Sequence, residues 1–519
     1  MKKIIYTLLI ALAGFGATSC DDFFDLKPSN EMVLDEFWTS ESDVLSMVGS
    51  CYRSMQEPGF MERLLVWGEL RSDNVILGTA NNGNLIDIAN LNLLPSNGFT
   101  YWGDFYNVIN LCNTVEYYAP IAFERDPNFT RGQLNGYIAE VKGIRAYCYY
   151  TLVRAFRDIP FITEPVIDDT QTFQVAQSDP EEILRFLIDD LKAVEAQAVT
   201  SWSNESYTKG RVTQNCIRAL IADMSLWLGE YQDCITYCNK IMTDANAPLS
   251  LAPSNVFNQS VFIDGNSTES IFELQFLRSN IPNYIVCEYF GTAGGRSGAA
   301  HEVFRAYDFS TTELFSLTDI RGYDFFFPSK SGVYPIKKFV SYRTDITTEL
   351  VNEGKYTNLD AAAGNTNWMI YRLADVYLMK AEAMVELGTD LNGAFDLVCR
   401  TYDRANPEAG PGSLSNEAVG SQQAMRKLVF DERQREFLFE GKRYFDIIRL
   451  INRDRAQFSS IVNEYLVPKY TTLDQATVTS KLSEYDALFM PIRDAELKAN
   501  LLLKQNPFYE VSSDIDINK

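Results

Sequence analysis

Glu69 and Asp73, four residues apart in WGELRSDNV, are the kind of carboxylate pair that a hydrolytic reaction divides into acid and base. Among 69 acidic side chains such a pair carries little weight alone, and the same two groups suit hydrogen bonding to the hydroxyls of a bound molecule. Other reactive types are sparse. His301 is the one histidine, which removes His-based metal sites and makes it the sole base that a Ser–His–Asp triad could use. It follows the Gly-rich run GTAGGRSGAA, which lacks the lysine and the strand–helix setting of a phosphate loop. No GxGxxG in a strand–helix setting, HExxH, EF-hand loop or GxSxG elbow is present. Nothing therefore calls for a cofactor, and the chain reads as a binding protein rather than an enzyme.

The nine cysteines, at 20, 51, 112, 148, 216, 234, 238, 287 and 399, lie mostly inside helical patterns in a chain long enough not to need disulfide staples. Cys234 and Cys238 stand one helical turn apart, but no His or Cys pair elsewhere completes a metal set. They read as small buried apolar side chains. The formal net charge of −23, with no basic run to interrupt it, excludes nucleic acid as a partner. With 46% apolar and 13% aromatic residues in 519, the chain can bury a sizeable core and still have rings left for a binding surface.

The elements that would position such a surface are helical. In the stretch from Trp368 to Arg404, Ile370, Leu373, Val376, Tyr377, Met379, Lys380, Ala383, Met384 and Leu387 include a run at helical spacing. Gly388 ends that helix, and a second carries Ala394, Leu397, Val398 and Tyr402. Small Ala381 and Ala383 beside Leu378 and Tyr377 suit close packing, as in the hairpins of tetratricopeptide repeats. Thr213–Leu228, Gly229 and Tyr231–Met242 repeat the plan. Helices are also expected after Thr39 or Ser40, with Val44, Leu45, Val48, Cys51, Tyr52 and Met55 buried, over Tyr101–Tyr118 and Arg131–Arg157, after the Asp179-Pro180 start, and over Met425–Leu450. Between about Leu251 and Asn367 helical periodicity is mostly absent; IFELQFL (Ile271–Leu277) and VYPIKKFVSY (Val333–Tyr342) read as strand-like, and helices resume at Tyr371. The fold class is mainly α: stacked tetratricopeptide-like hairpins with an irregular, partly β, loop-rich insertion.

At the N-terminus, residues 1–19 pair a Lys2-Lys3 start with an apolar stretch too short to span a bilayer, as a secretory signal does. Ala17-Thr18-Ser19-Cys20 resembles a lipobox, with Cys20 the lipidated residue, although Ala17 stands where Leu is commoner. This start, WGELRSDNV, YRLADVYLMKAEA, RQREFLFEGKRYFDIIRL and LFMPIRDAELKANLLLKQNPFYE, in that order, resemble the SusD/RagB family over nearly the whole chain. The resemblance implies a signal peptide over 1–19, a lipidated tether over 20–40 and a single SusD-like domain over 41–519. That domain divides into an N-terminal helical half (41–250), the insertion (251–367) and a C-terminal helical half (368–519).

It further implies a surface-exposed lipoprotein of the outer membrane. Such a protein binds oligosaccharide, or peptide as a RagB-like subunit would, and passes it to a SusC-like TonB-dependent transporter. A surface glycosidase and a protein-binding repeat scaffold are the rival readings. Sugar capture asks for flat rings and planar polar groups that grip paired hydroxyls. The candidates are Arg71, Asp73, Asn81, Asn82, Tyr289, Phe290, Arg296, Tyr323, Trp368 and Tyr371. Arg433, Arg435, Glu436, Glu440, Arg443, Asp446 and Arg449 match the family's charged C-terminal motif and are expected to hold the last helix against the frame, with Glu436, Glu440 and Arg443 one turn apart on it.

Overall fold

The computed structural model describes residues 37–78, 82–167, 171, 173–277, 279–290, 304–306, 314–326, 334–340 and 364–510. The longer helices are α1 (Glu41–Met55), α2 (Gly103–Arg125), α3 (Arg131–Phe156), α4 (Pro180–Val194), α5 (Gln214–Leu228), α6 (Tyr231–Met242), α7 (Leu373–Leu387), α8 (Leu391–Ala405), α9 (Gln422–Phe437) and α10 (Arg443–Arg453). The strands are β1 (Val75–Leu77), β2 (Ile159–Pro160), β3 (Gln177–Ser178), β4 (Ser270–Leu274), β5 (Phe304–Ala306), β6 (Tyr334–Pro335) and β7 (Trp368–Arg372).

Local chemistry sets the helix ends. Asp43 accepts from the Ser40 N–H at 2.9 Å and so starts α1, which buries Val44, Val48, Cys51 and Met55. Leu45, expected in that stripe, is exposed, and Tyr52 is half-buried. Asp179 accepts from the N–H groups of Glu181 and Glu182 ahead of Pro180, capping α4. Gly229 (φ 75) ends α5 and Gly388 (φ 64) ends α7, both left-handed as the hairpin turns require. α2 runs past Tyr118 to Arg125 with Pro120 inside it. Helix α3 is buried almost all round, and its interior charges are paired: Arg211 forks onto Glu140 at 2.7 Å through both Nε and Nη2. Cys51, Cys112, Cys148, Cys216, Cys234 and Cys238 are buried, and Cys399 is half-buried.

Hairpin α5–α6 packs through α6 onto α7 of hairpin α7–α8, and α7 packs in turn on α9. Ala374, Leu378, Ala381 and Val385 of α7 meet Leu397 and Val398 of α8 and Val429 of α9 in one apolar cluster. A larger cluster runs from Trp38 to Ile492. Stacked helical hairpins are therefore the architecture.

Two segments differ from expectation. Residues 368–372 are strand β7, paired antiparallel with β4, and α7 begins only at Leu373. All five residues of each strand are buried, so no polar face marks the period of two and the run blends into the helical spacing that follows. Among the described residues of VYPIKKFVSY only Tyr334–Pro335 is strand; Ile336 bridges to Phe326, and residues 333, 341 and 342 lie outside the described residues. Residues 1–36, which include the leader and Cys20, also lie outside them, as does His301.

Candidate functional site

The insertion is anchored to the helices by charges that have left water entirely. Arg321 donates to Asp319 (2.7 Å), Glu432 (2.9 Å) and Glu436 (2.8 Å). Arg372, the last residue of β7, reaches Glu269 (3.0 Å), Glu436 (2.5 Å) and Glu440 (2.9 Å). Lys338, just beyond β6, donates to Glu440 (2.7 Å) and to the carbonyls of Glu436 and Leu438. Arg404 of α8 closes the lattice onto Glu269 and Glu436.

Burial drives Glu436 toward the neutral acid, yet Arg404, Arg372 and Arg321 hold it well below the usual carboxylate range. Glu440, opposed by the same burial, is brought down to about 2 by Arg372, Lys338 and Lys442. Burial lowers Lys338 to about 8 against the attraction of Glu440.

The remaining residues of the charged motif extend this frame. Arg433 forks onto Asp446 at 2.9 Å through both nitrogens, Arg449 onto Glu382 at 2.7 and 2.9 Å, and Arg435 reaches Glu432 at 2.7 Å. Asp446 and Arg449 do pair one turn apart at 2.8 Å. Glu436, Glu440 and Arg443 do not share a helix: α9 stops at Phe437, and Phe439 (φ 66) and Gly441 (φ 74) turn the chain. Sequence reading missed Arg321, Lys338, Arg372 and Glu269. The available signal was Arg and Glu at the ends of otherwise apolar strands, where an unpaired charge would be intolerable.

WGELRSDNV forms a tight structural joint. Trp67 donates its indole N–H to the Phe99 carbonyl at 2.9 Å. A Cβ on Gly68 would stand 1.9 Å from the Gly441 carbonyl oxygen, so only glycine permits the approach. Glu69 is buried and accepts from Ser72 (3.1 Å), Asn74 (3.1 Å) and the Gly441 N–H (3.2 Å). Asp73 takes a two-pronged contact from Arg443 at 2.8 and 2.9 Å. The two carboxylates thus have separate structural partners and offer no open acid–base pair.

Burial raises Glu69 to about 7 despite its three donors. Its proton leaves near pH 4.5 in the unfolded chain and near 7 in the folded one, so the folded state binds more protons between those values. Stability contributed by this group is full below about pH 4.5 and is lost as pH rises through 7. Glu69→Gln is expected to remove that slope, on the order of 2 kcal/mol of pH dependence, as read from urea midpoints between about pH 5 and about pH 7. Lys469, which burial lowers to about 7 and which donates to the carbonyls of Leu70 and Ser72, titrates with the opposite sign above that window.

The same joint delivers β1, which joins β5 and β6 in a three-stranded antiparallel sheet. Leu77 pairs with Phe304, so the end of β1 and the start of β5 share one end of the sheet. Asn81 and Arg296 lie outside the described residues. Asn82 is exposed and caps the short helix Gly83–Ala89 by accepting from the Leu85 N–H at 3.1 Å. Tyr323 is 64% exposed, with its hydroxyl fixed to the Leu317 carbonyl at 2.9 Å.

The other candidates face inward, which corrects the sequence reading. Arg71 is buried over the Tyr444 ring and donates to the Leu488 carbonyl at 2.8 Å. Asp73 is the partner of Arg443 described above. Tyr289 is buried and donates to Glu62 at 2.8 Å. Phe290 packs among Phe339, Trp368 and Phe439. Trp368 stacks on Phe339 at 5.2 Å, and Tyr371 donates to Asp223 at 2.8 Å. Each is engaged in packing or an interior hydrogen bond, which leaves it no free face for a ligand.

Residues 321–509 match the model of the SusD family, and these residues hold Arg321, Lys338, Arg372 and the charged motif around Glu436. Over those residues the chain is similar to the SusD family. SusD-like protein P2 of Formosa agariphila is 26% identical over 87% of this chain and 91% of its own length. SusD-like protein P38 of the same organism is 22% identical over 86% of this chain and 91% of its own length. A SusD superfamily protein from Bacteroides vulgatus superposes with a TM-score of 0.71 at 18% identity, covering 91% of this chain and 100% of that one. Surface glycan-binding protein A from Bacteroides thetaiotaomicron, solved in complex with laminarihexaose, gives 0.68 at 18% identity, covering 90% and 100%. At such identities the solved structures establish the shared SusD architecture. Among the described residues no helix is long and apolar enough to cross a membrane.

Proposed function

We propose that this SusD-like chain is a non-catalytic glycan-binding lipoprotein, anchored at the cell surface through Cys20, that passes its ligand to a SusC-like TonB-dependent transporter of the outer membrane. The observation that carries the reading is the three-stranded sheet. A buried ionic frame holds the insertion, and at one end of its sheet the end of β1, which Asn82 follows, lies beside the start of β5. Polar groups on stretches carried by a rigid support suit hydroxyl recognition without chemistry. A structural relative captured with laminarihexaose supports an oligosaccharide over a peptide as the ligand. The inward pairing of Glu69 and Asp73 weighs against the glycosidase reading.

The test is a combined array of glycans and peptides probed with protein lacking residues 1–20. Saturable retention of a glycan without turnover is expected. Retention of peptides alone would move the assignment to a RagB-like subunit, and hydrolysis of a sugar would overturn it.

A further inference from the structure

A second concave site is lined by other elements. It is a cleft of about 370 Å³ where the end of α3, the start of α4, the Gly229 turn, the end of α10 and the segment around Tyr485 meet. Its lining carries four arginines against one carboxylate, Glu181, on a chain whose net charge is −23. Arg449 is already committed to Glu382 and Asp446. Arg157 and Arg453 are ion-paired as well, which leaves Arg455 as the lining arginine without a carboxylate among the described residues.

Arg455 lies flat on the Tyr485 ring, its guanidinium carbon 3.2 Å from the ring centroid. Among the described residues it has no carboxylate partner, so its donors face the open cleft. Arg453 pairs with Glu386 at 3.2 Å through Nη1 and with Glu382 through Nη2, and its Nε has no acceptor among the described residues. Arg157 sits at φ 69, ψ −80, with the Asp158 N–H donating to the Phe156 carbonyl at 3.1 Å around it. That is the strained γ-turn, which non-glycine residues rarely adopt and which concentrates at binding sites. Here the Arg157 guanidinium pairs with Asp158 at 2.7 Å and with Asp486, and stands 5.7 Å from the Phe489 ring.

Asn452 accepts the Tyr485 hydroxyl at 2.7 Å, which leaves its NH2 group to donate. The cleft therefore combines one guanidinium without a carboxylate partner among the described residues, Arg455, with an amide donor and aromatic walls. We propose that it is a second sugar subsite, specific for a glycan unit that bears a carboxylate or a sulfate ester. Guanidinium forks match both anions in planar geometry, the rings suit the apolar face of a pyranose, and Asn452 suits a hydroxyl. The assignment rests on the glycan-binding reading, and it deepens that reading by naming an anionic class of ligand.

Titration calorimetry with tri-galacturonate, a sulfated carrageenan tetrasaccharide and neutral laminarihexaose tests it, at low and high salt, on the full mature chain and on Arg455→Gln. One of the charged probes is expected to bind, and which one separates carboxylate from sulfate. That binding weakens about tenfold in Arg455→Gln, weakens with salt, and leaves the neutral probe and the melting temperature unchanged. Arg453→Gln serves as the second variant and acts in the same direction. The subsite is overturned if neither charged probe binds, or if both variants stay within twofold of the parent. Neutral binding that persists then leaves the general glycan reading standing, whereas failure of every sugar removes both.

Discussion

Replacing Arg372 by methionine is expected to lower the stability of the chain by about 3–5 kcal/mol, the usual cost of leaving buried charge without its partner. The substitution strands Glu269, Glu436 and Glu440, all fully enclosed, around an apolar side chain. Arg404 and Lys338 still touch this set, so the loss is large without being total. Exposed pairs behave differently: Arg53 of α1 and Glu57 just beyond its end, about half exposed, should contribute roughly 0–1 kcal/mol at most. Urea midpoints for Arg372→Met and Arg53→Met check both statements. A change below about 1 kcal/mol for Arg372→Met would mean that the lattice does not hold the insertion.

Trp368→Ala is expected to cost about 3–5 kcal/mol as well, through an unfilled space in the core. The ring is buried, stacked on Phe339 at 5.2 Å, and close to Phe290 and Gly441. Trp368→Phe should recover much of that loss and bind glycan as the parent does, because the ring packs the frame and does not touch the ligand. Thermal melts report the first effect and titration of the Phe variant the second. A Phe variant that melts like the parent but loses the glycan would restore Trp368 to the binding surface.

These two residues also show where the sequence was readable. Helix ends declared themselves through short-range chemistry: Asp179-Pro180, Gly229 and Gly388 act within a turn of their own position. Strand β7 was hidden because Met369 and Ile370 are apolar on both faces of the pleat. The ring candidates failed for a related reason. An aromatic side chain has the same composition whether it walls a pocket or fills a core, and Tyr289, Phe290, Trp368 and Tyr371 fill the core.

Arg71 and Asp73 were claimed by partners far along the chain, 417 residues away at Leu488 and 370 away at Arg443. No local pattern announces such contacts. By contrast, the charged run from Arg433 to Arg449 was legible as structural, since so many ionisable groups spaced about a turn apart suggested mutual pairing. Its partners in the insertion, Arg321 and Lys338, were not.

The central claim is that a rigid, internally ion-paired frame presents an outward polar and aromatic surface that holds glycan without cleaving it. Titration of the array's best glycan into the parent and into Tyr323→Ala tests it most directly, with the sugar recovered afterwards for analysis. Saturable binding of the parent, about tenfold weaker binding of the variant at an unchanged melting temperature, and intact recovered sugar are predicted. Shortened sugar, or no saturable binding to any glycan, would contradict the account.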